Sequence, residues 1–187
     1  MERSPDGAVS PISTVSAPCP VSASPDQARP SSSRYSDASW DALALTGHAA
    51  DTILIGETAP SGDRSKDVKR YMKPLIFVRA LYCVGSKLRP LTGGAAERLG
   101  CPGDPSQMPA EHPALFDASG FAHHPYQLLT APTVTPRDRD YVTIGVLGRL
   151  TRTLDGIFRA YGVKRRLNLY LTEYGYQTYP DLFGARR

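Results

Sequence analysis

Apolar positions along the chain fall alternately into helix-like and strand-like patterns. Residues 36–45 place Trp40 and Leu43 one helical turn apart, with Ser36 before them as a cap and Gly47 after them as a stop. The run Thr52-Ile53-Leu54-Ile55-Gly56-Glu57-Thr58 is short, apolar and rich in β-branched residues, which predicts a buried parallel strand. Pro74 suits the first position of a helix, and Leu75, Val78, Leu81 and Tyr82 continue it at helical spacing. A second strand is expected within residues 118–126. Ile144, Leu147, Leu150, Leu154, Ile157, Phe158 and Tyr161 then mark one face of a strongly amphipathic helix that stops at Gly162. A third strand is expected over residues 167–172.

The order helix, strand, helix, strand, helix, strand predicts an α/β fold with parallel strands and right-handed crossovers. Each predicted strand runs into a polar cluster: Gly56-Glu57-Thr58, His123-His124-Pro125-Tyr126 and Thr172-Glu173-Tyr174-Gly175. Ligands of parallel α/β folds sit at the C-terminal ends of the strands, so these clusters are the candidate site. Between the elements, residues 61–73 are polar and basic and predict an exposed loop. Residues 89–116 are rich in Gly and Pro and predict a long loop of the kind that carries function. Residues 1–33 hold six prolines, nine serines and no aromatic residue, and so are expected to be disordered. The ordered domain is expected over residues 34–187.

Composition bounds this picture. With 41% hydrophobic residues and 21% charged residues, the 187-residue chain can build a core despite 16 glycines and 17 prolines. No apolar stretch reaches the roughly 18 residues of a membrane span. The net charge of +4 is too small to argue for a nucleic-acid partner. Cys19, Cys83 and Cys101 form no C-x-x-C pair, which disfavours a zinc ribbon. Cys83 and Cys101 would pair in an exported protein and stay as two thiols otherwise. Met1-Glu2-Arg3 is followed by Ser and Pro rather than an apolar leader, which predicts either a cytoplasmic protein or a start that lies elsewhere.

The strand ends narrow the chemistry. Glu57 and Glu173 are paired-carboxylate candidates for glycosidic bond cleavage, where one group protonates the leaving oxygen and the other attacks or activates water. Tyr126, Tyr174 and Tyr176 offer flat faces and hydroxyls to a sugar ring. The chain has neither G-x-S-x-G nor G-x-x-x-x-G-K-[ST], which argues against an α/β-hydrolase and a P-loop enzyme. His123 and His124 are adjacent and point to opposite faces of a strand, so they are not expected to share a metal. One of them is expected at a substrate or a carboxylate, the other packed. Arg165-Arg166 predict a solvated turn, and Arg137-Asp138-Arg139-Asp140 a loop leading into a helix. No cofactor and no metal are expected.

These segments, together with Arg79-Ala80-Leu81-Tyr82-Cys83 and Gly120-Phe121-Ala122-His123-His124-Pro125-Tyr126, resemble an actinobacterial group of clan-A glycoside hydrolase-like proteins of cellulase or xylosidase type. The resemblance covers roughly residues 34–187 and lies in the order of the segments and their strand-end chemistry. It implies a (β/α)8 barrel, a fold of typically about 250 residues, so this chain would be a partial TIM barrel. It implies catalytic glutamates at the ends of strands four and seven. Glu173, in Thr172-Glu173-Tyr174-Gly175, matches the strand-seven nucleophile. The Asn-Glu-Pro segment that carries the acid/base is absent, since the lone asparagine, Asn168, precedes Leu169. The three predicted strands are then five to seven, and Glu57 becomes a site-lining or structural residue. Tyr126, with His124, matches the strand-six position that contacts the nucleophile. Strands one to three and strand eight would lie outside the chain, and full-length relatives are expected to be secreted.

The expected function is therefore hydrolysis of an O-glycosidic bond in a carbohydrate with retention, in a truncated chain expected either to be inactive without its acid/base or to be active only if Glu57 substitutes for it. Glu173 is the expected nucleophile, and His124, Tyr126, Tyr174, Tyr176 and Glu57 are the expected substrate contacts. The alternatives are a non-catalytic carbohydrate-binding or pseudo-enzyme module, and an α/β interaction protein without a sugar site. The expected partner is a carbohydrate, with no nucleic acid and no membrane; the sequence does not specify an oligomeric state.

Overall fold

A computed structural model describes residues 12–15, 25–62, 71–127 and 130–176. Strand β1 (Ile12–Val15) is followed by helix α1 (Pro25–Leu45), strand β2 (Thr52–Thr58) and helix α2 (Pro74–Leu81). Next come α3 (Gly93–Leu99), a 3-10 turn (Pro105–Gln107), α4 (Met108–Glu111), α5 (Pro113–Asp117) and strand β3 (Gly120–His123). A second 3-10 turn (Ile144–Val146), helix α6 (Gly148–Ala160) and strand β4 (Asn168–Leu171) complete the order. The architecture is α/β. The four strands are parallel and stand in chain order, β1-β2-β3-β4.

Strands in chain order with crossovers of one hand place every helix on the same face of the sheet. Contacts of α1 with α2, α3 and α5, and of α2 with α6, fit one such helical layer. The core lies between this layer and the sheet. Ile55, Phe121 and Leu167 meet Leu75, Val78 and Leu81 of α2 and Leu150, Leu154, Ile157 and Phe158 of α6. Helix α2 begins at Pro74 because a proline there gives up no intrahelical hydrogen bond. Helix α6 buries Leu150, Leu154, Ile157 and Phe158 of the predicted stripe, while Ile144 falls in the 3-10 turn before it and Leu147 and Tyr161 flank it half-buried; past Gly162, Val163 N–H reaches Phe158 O at 2.9 Å.

Two expectations change. Regular structure starts before Tyr35: within residues 1–33, Ile12–Val15 pairs with residues 52–55 of β2, and α1 begins at Pro25. Composition misses these pieces because their partners are distant in sequence. The rest of residues 1–24 lies outside the described residues, as does most of the basic loop (63–70).

The long loop expected over residues 89–116 is instead largely helical, in pieces of three to seven residues. Such pieces are too short to show a 3.6-residue period. Pro105, Pro109 and Pro113, which look like breakers in the sequence, sit in the first turns of these pieces. Burial of Met108, Leu115 and Phe116 and a disulfide between Cys83 and Cys101 fasten the segment to the core. Tyr82 Oη also donates to Leu115 O at 2.6 Å. No helix among the described residues is long and apolar enough to cross a membrane.

Candidate functional site

Ile55, Phe121 and Leu169 share one row of the sheet, so β2, β3 and β4 end along one edge. Glu57, the segment His124-Pro125-Tyr126 and the segment Glu173-Tyr174-Gly175-Tyr176 all leave from that edge. Beyond the strands, Gln127 N–H donates to Gly175 O at 3.1 Å, and Gln127 and Tyr176 form an isolated parallel bridge. This extra rung fixes the segment after β3 against the segment after β4.

The rung brings three predicted residues together. Tyr126 Oη donates to Glu173 Oε2 at 2.9 Å, and His124 Nδ1 stands 3.7 Å from the same oxygen. Gly175 makes room for the phenol ring: a Cβ there would lie 2.8 Å from Tyr126 Cε1. The hydrogen bond to Glu173 raises the Tyr126 phenol above its ordinary value of 10.0, because ionisation would give up the donated proton, and the nearby negative charge adds to this. His124 Nε2 is buried without a hydrogen-bond partner among the described residues. Both contacts fall on Oε2, and the Glu173 side chain is 55% exposed. Such a carboxylate is oriented through one oxygen and exposed enough to act as a nucleophile or a hydrogen-bond acceptor.

The adjacent histidines have different surroundings, His123 as the last residue of β3 and His124 just beyond it. His123 is fully buried, with Nδ1 2.8 Å from Thr58 Oγ1 and Nε2 2.8 Å from Val142 O. A carbonyl only accepts, so Nε2 carries the proton and Nδ1 accepts from the Thr58 hydroxyl. Burial is the main cause that pushes this imidazole below 6.5, opposed by its hydrogen bonds. His123 thus ties β2, β3 and the segment at Val142 together beneath the edge.

Glu57 stands apart from this cluster. It leaves β2 at a bulge between Gly56 and Thr58, with φ of 60°, a left-handed conformation unusual for a side-chain-bearing residue. Gly56 before it has φ of 106° and leaves no space for a Cβ, which would lie 2.6 Å from the Phe121 ring. The Glu57 side chain is half-buried and makes no hydrogen bond or ion pair with described residues. It lies on the same edge as Glu173, with β3 between their strands. Tyr174 and Tyr176 are 76% and 49% exposed beside Glu173.

The sequence reading missed how the loop beneath this edge is held. Lys73 Nζ meets Asp138 Oδ2 at 2.6 Å, and Arg79 meets Asp140 Oδ1 at 2.9 Å. Arg149 donates to the carbonyls of Pro136, Asp138 and Tyr141. Alternation in Arg137-Asp138-Arg139-Asp140 signals exposed charge, but the partners some 60 residues away carry no local signature. Among the described residues, no group of three or more His, Cys, Asp or Glu is placed to hold a metal ion.

No family model matches the chain, and neither a curated protein nor a solved structure matches it.

Proposed function

We propose that the chain is a carbohydrate-active domain of the glycoside hydrolase barrel type, with Glu173 as its nucleophilic carboxylate. The observation that carries this reading is the convergence of Tyr126 and His124 on one oxygen of Glu173 at the C-terminal edge of a parallel sheet. In this role Oε1 attacks the anomeric carbon and a glycosyl ester forms as the leaving oxygen departs. Tyr126 holds the carboxylate in place, and water later cleaves the ester. Tyr174 and Tyr176 present their rings to the sugar.

The strand order supports a barrel segment, since sequential parallel strands with helices on one face are the wall of a (β/α)8 fold. Strands β2, β3 and β4 then stand as strands five, six and seven, with β1 in the place of strand four. After β1 the sequence continues Ser16-Ala17-Pro18, with no glutamate where the family carries its acid/base. A retaining pair needs carboxyls about 5–5.5 Å apart. Glu57 starts two strands from Glu173, a backbone separation of roughly 10 Å, and we assign it to substrate contact. The Cys83–Cys101 disulfide supports an oxidising compartment and hence export.

Missing its acid/base, the chain is expected to turn over only substrates with activated leaving groups. A panel of dinitrophenyl glycosides and their 2-deoxy-2-fluoro analogues tests this. Slow release of dinitrophenol, and a covalent adduct on the Glu173 peptide by mass spectrometry, support the proposal, and Glu173→Gln abolishes both. Release that survives Glu173→Gln overturns it. The second reading is a carbohydrate-binding module without catalysis, favoured by the exposure of Glu173 and by the lack of a second carboxylate in contact with it among the described residues. Saturable oligosaccharide binding lost on Tyr174→Ala, with no adduct, selects that reading.

A further inference from the structure

The net charge of the molecule is concentrated on one helix and its flanks. Residues 137–166 carry eight Lys and Arg against three Asp, a net of +5, while the whole chain carries +4. Everything outside this stretch therefore sums to −1. Within it, Asp138 and Asp140 are engaged by Lys73 and Arg79, and Asp155 lies 3.7 Å from Arg166. Arg137, Arg139, Arg152, Arg159 and Lys164 are exposed and have no carboxylate partner among the described residues.

Helix α6 arranges these cations in a line. Arg152 and Arg159 are seven residues apart, so they share one face at a rise of roughly 10 Å. Two concave surfaces flank them. A groove of about 380 Å³ is lined by Arg139, Arg149, Arg152 and Thr153 over Leu75 and Leu88. A second, of about 290 Å³, is lined by Arg159, Lys164, Arg165 and Arg166 together with Asp155 and Phe158; in it Arg165 already donates to the carbonyls of Phe116 and Ala118. Arg149 opens the helix at its N-terminal end, Arg152 follows one turn on, and the first turn holds no acid. Cations there oppose the helix dipole, so stability alone favours the opposite charge.

We propose that this face of α6, with its two grooves, is a docking surface for an acidic polysaccharide, separate from the edge that holds Glu173. Arg139, Arg152 and Arg159 line these grooves without a carboxylate partner among the described residues, and the planar forks of arginine match carboxylate groups in pairs. Two basic grooves along one helix, one near each end, suit a linear polyanion. The choice of a polysaccharide rests on the carbohydrate reading above; the concentration of charge does not.

The experiment measures binding of the full chain to polygalacturonate, to uncharged dextran and to duplex DNA across a salt series. The expected result is binding to polygalacturonate that weakens steeply with salt, with dextran unbound at this surface. The double variant Arg152→Gln, Arg159→Gln changes exposed side chains only, and its thermal transition is expected to match the parent. It is expected to lose roughly tenfold or more in affinity at low salt. Polygalacturonate binding no stronger than dextran binding, or unchanged by the double variant, overturns the proposal. Tighter binding to duplex DNA than to polygalacturonate at equal charge concentration also overturns it. Glu173→Gln is expected to leave polygalacturonate binding unchanged. Polyanion binding without any sugar-site activity would therefore sink the reading of Glu173 and leave this surface standing.

Discussion

His123 illustrates how one buried side chain sets a pH limit on the fold. In the neutral form its two ring nitrogens are satisfied by the Thr58 hydroxyl and the Val142 carbonyl. Burial holds its folded value below 6.5, so the unfolded chain binds more protons at mildly acid pH. Its contribution to stability is complete above about pH 6.5 and is lost as pH falls through the lower folded value. Urea unfolding at pH 7.5 and pH 5 is expected to give a lower midpoint at pH 5. In His123→Gln, the stability at pH 7.5 drops and the difference between the two pH values shrinks. An equal pH difference in the variant would show that other groups carry the effect. At this same scale the sequence was informative about position and silent about role. Adjacency required His123 and His124 to face opposite ways, but only the neighbours at Thr58 and Val142 decide which of the two is packed.

At the scale of elements, the disulfide joins the turn after α2 to the turn after α3. It closes 18 residues of chain that contain only one short helix. A closed loop of this size is worth roughly 3 kcal/mol through the unfolded state. Cys83→Ser with Cys101→Ser is expected to lower unfolding stability by about 2–4 kcal/mol. Thiol titration of the denatured, unreduced chain is expected to find one reactive thiol, Cys19, of the three cysteines. Three thiols would exclude the bridge. Elements were legible where their pattern is long. The stripe of α6 and the apolar run of β2 were placed from sequence because each repeats a period several times. The helical pieces between residues 93 and 117 were not, because proline starts them and tertiary burial, not periodicity, holds them.

On the scale of the whole molecule, two surfaces carry different chemistry. The sheet edge presents tyrosines and a carboxylate, and α6 presents unpaired arginines. They share no hydrogen-bond or ion-pair partner among the described residues, so substitutions at the two are expected to act independently. A combined Glu173→Gln, Arg152→Gln, Arg159→Gln chain is expected to show the sum of the separate free-energy losses, read with a 2-deoxy-2-fluoro glycoside for one surface and polygalacturonate for the other. A coupling that changes either readout more than severalfold would show that both ligands occupy one continuous site. Overall composition concealed this division, since a net charge of +4 averages a strongly basic stretch with a slightly acidic remainder.

The sequence by itself determined the α/β alternation, the extents of the three later strands to within a few residues, and the polar clusters at their ends. These follow from local periodicity and from residue types that favour strands, caps and turns. Tertiary structure alone decided that β1 joins the sheet, that Tyr126 and His124 converge on the same oxygen of Glu173, and that Glu57 stays apart from them. Each of those outcomes depends on strand register between segments tens of residues apart. A register step moves a side chain by a whole residue and to the other face, and no local pattern encodes it.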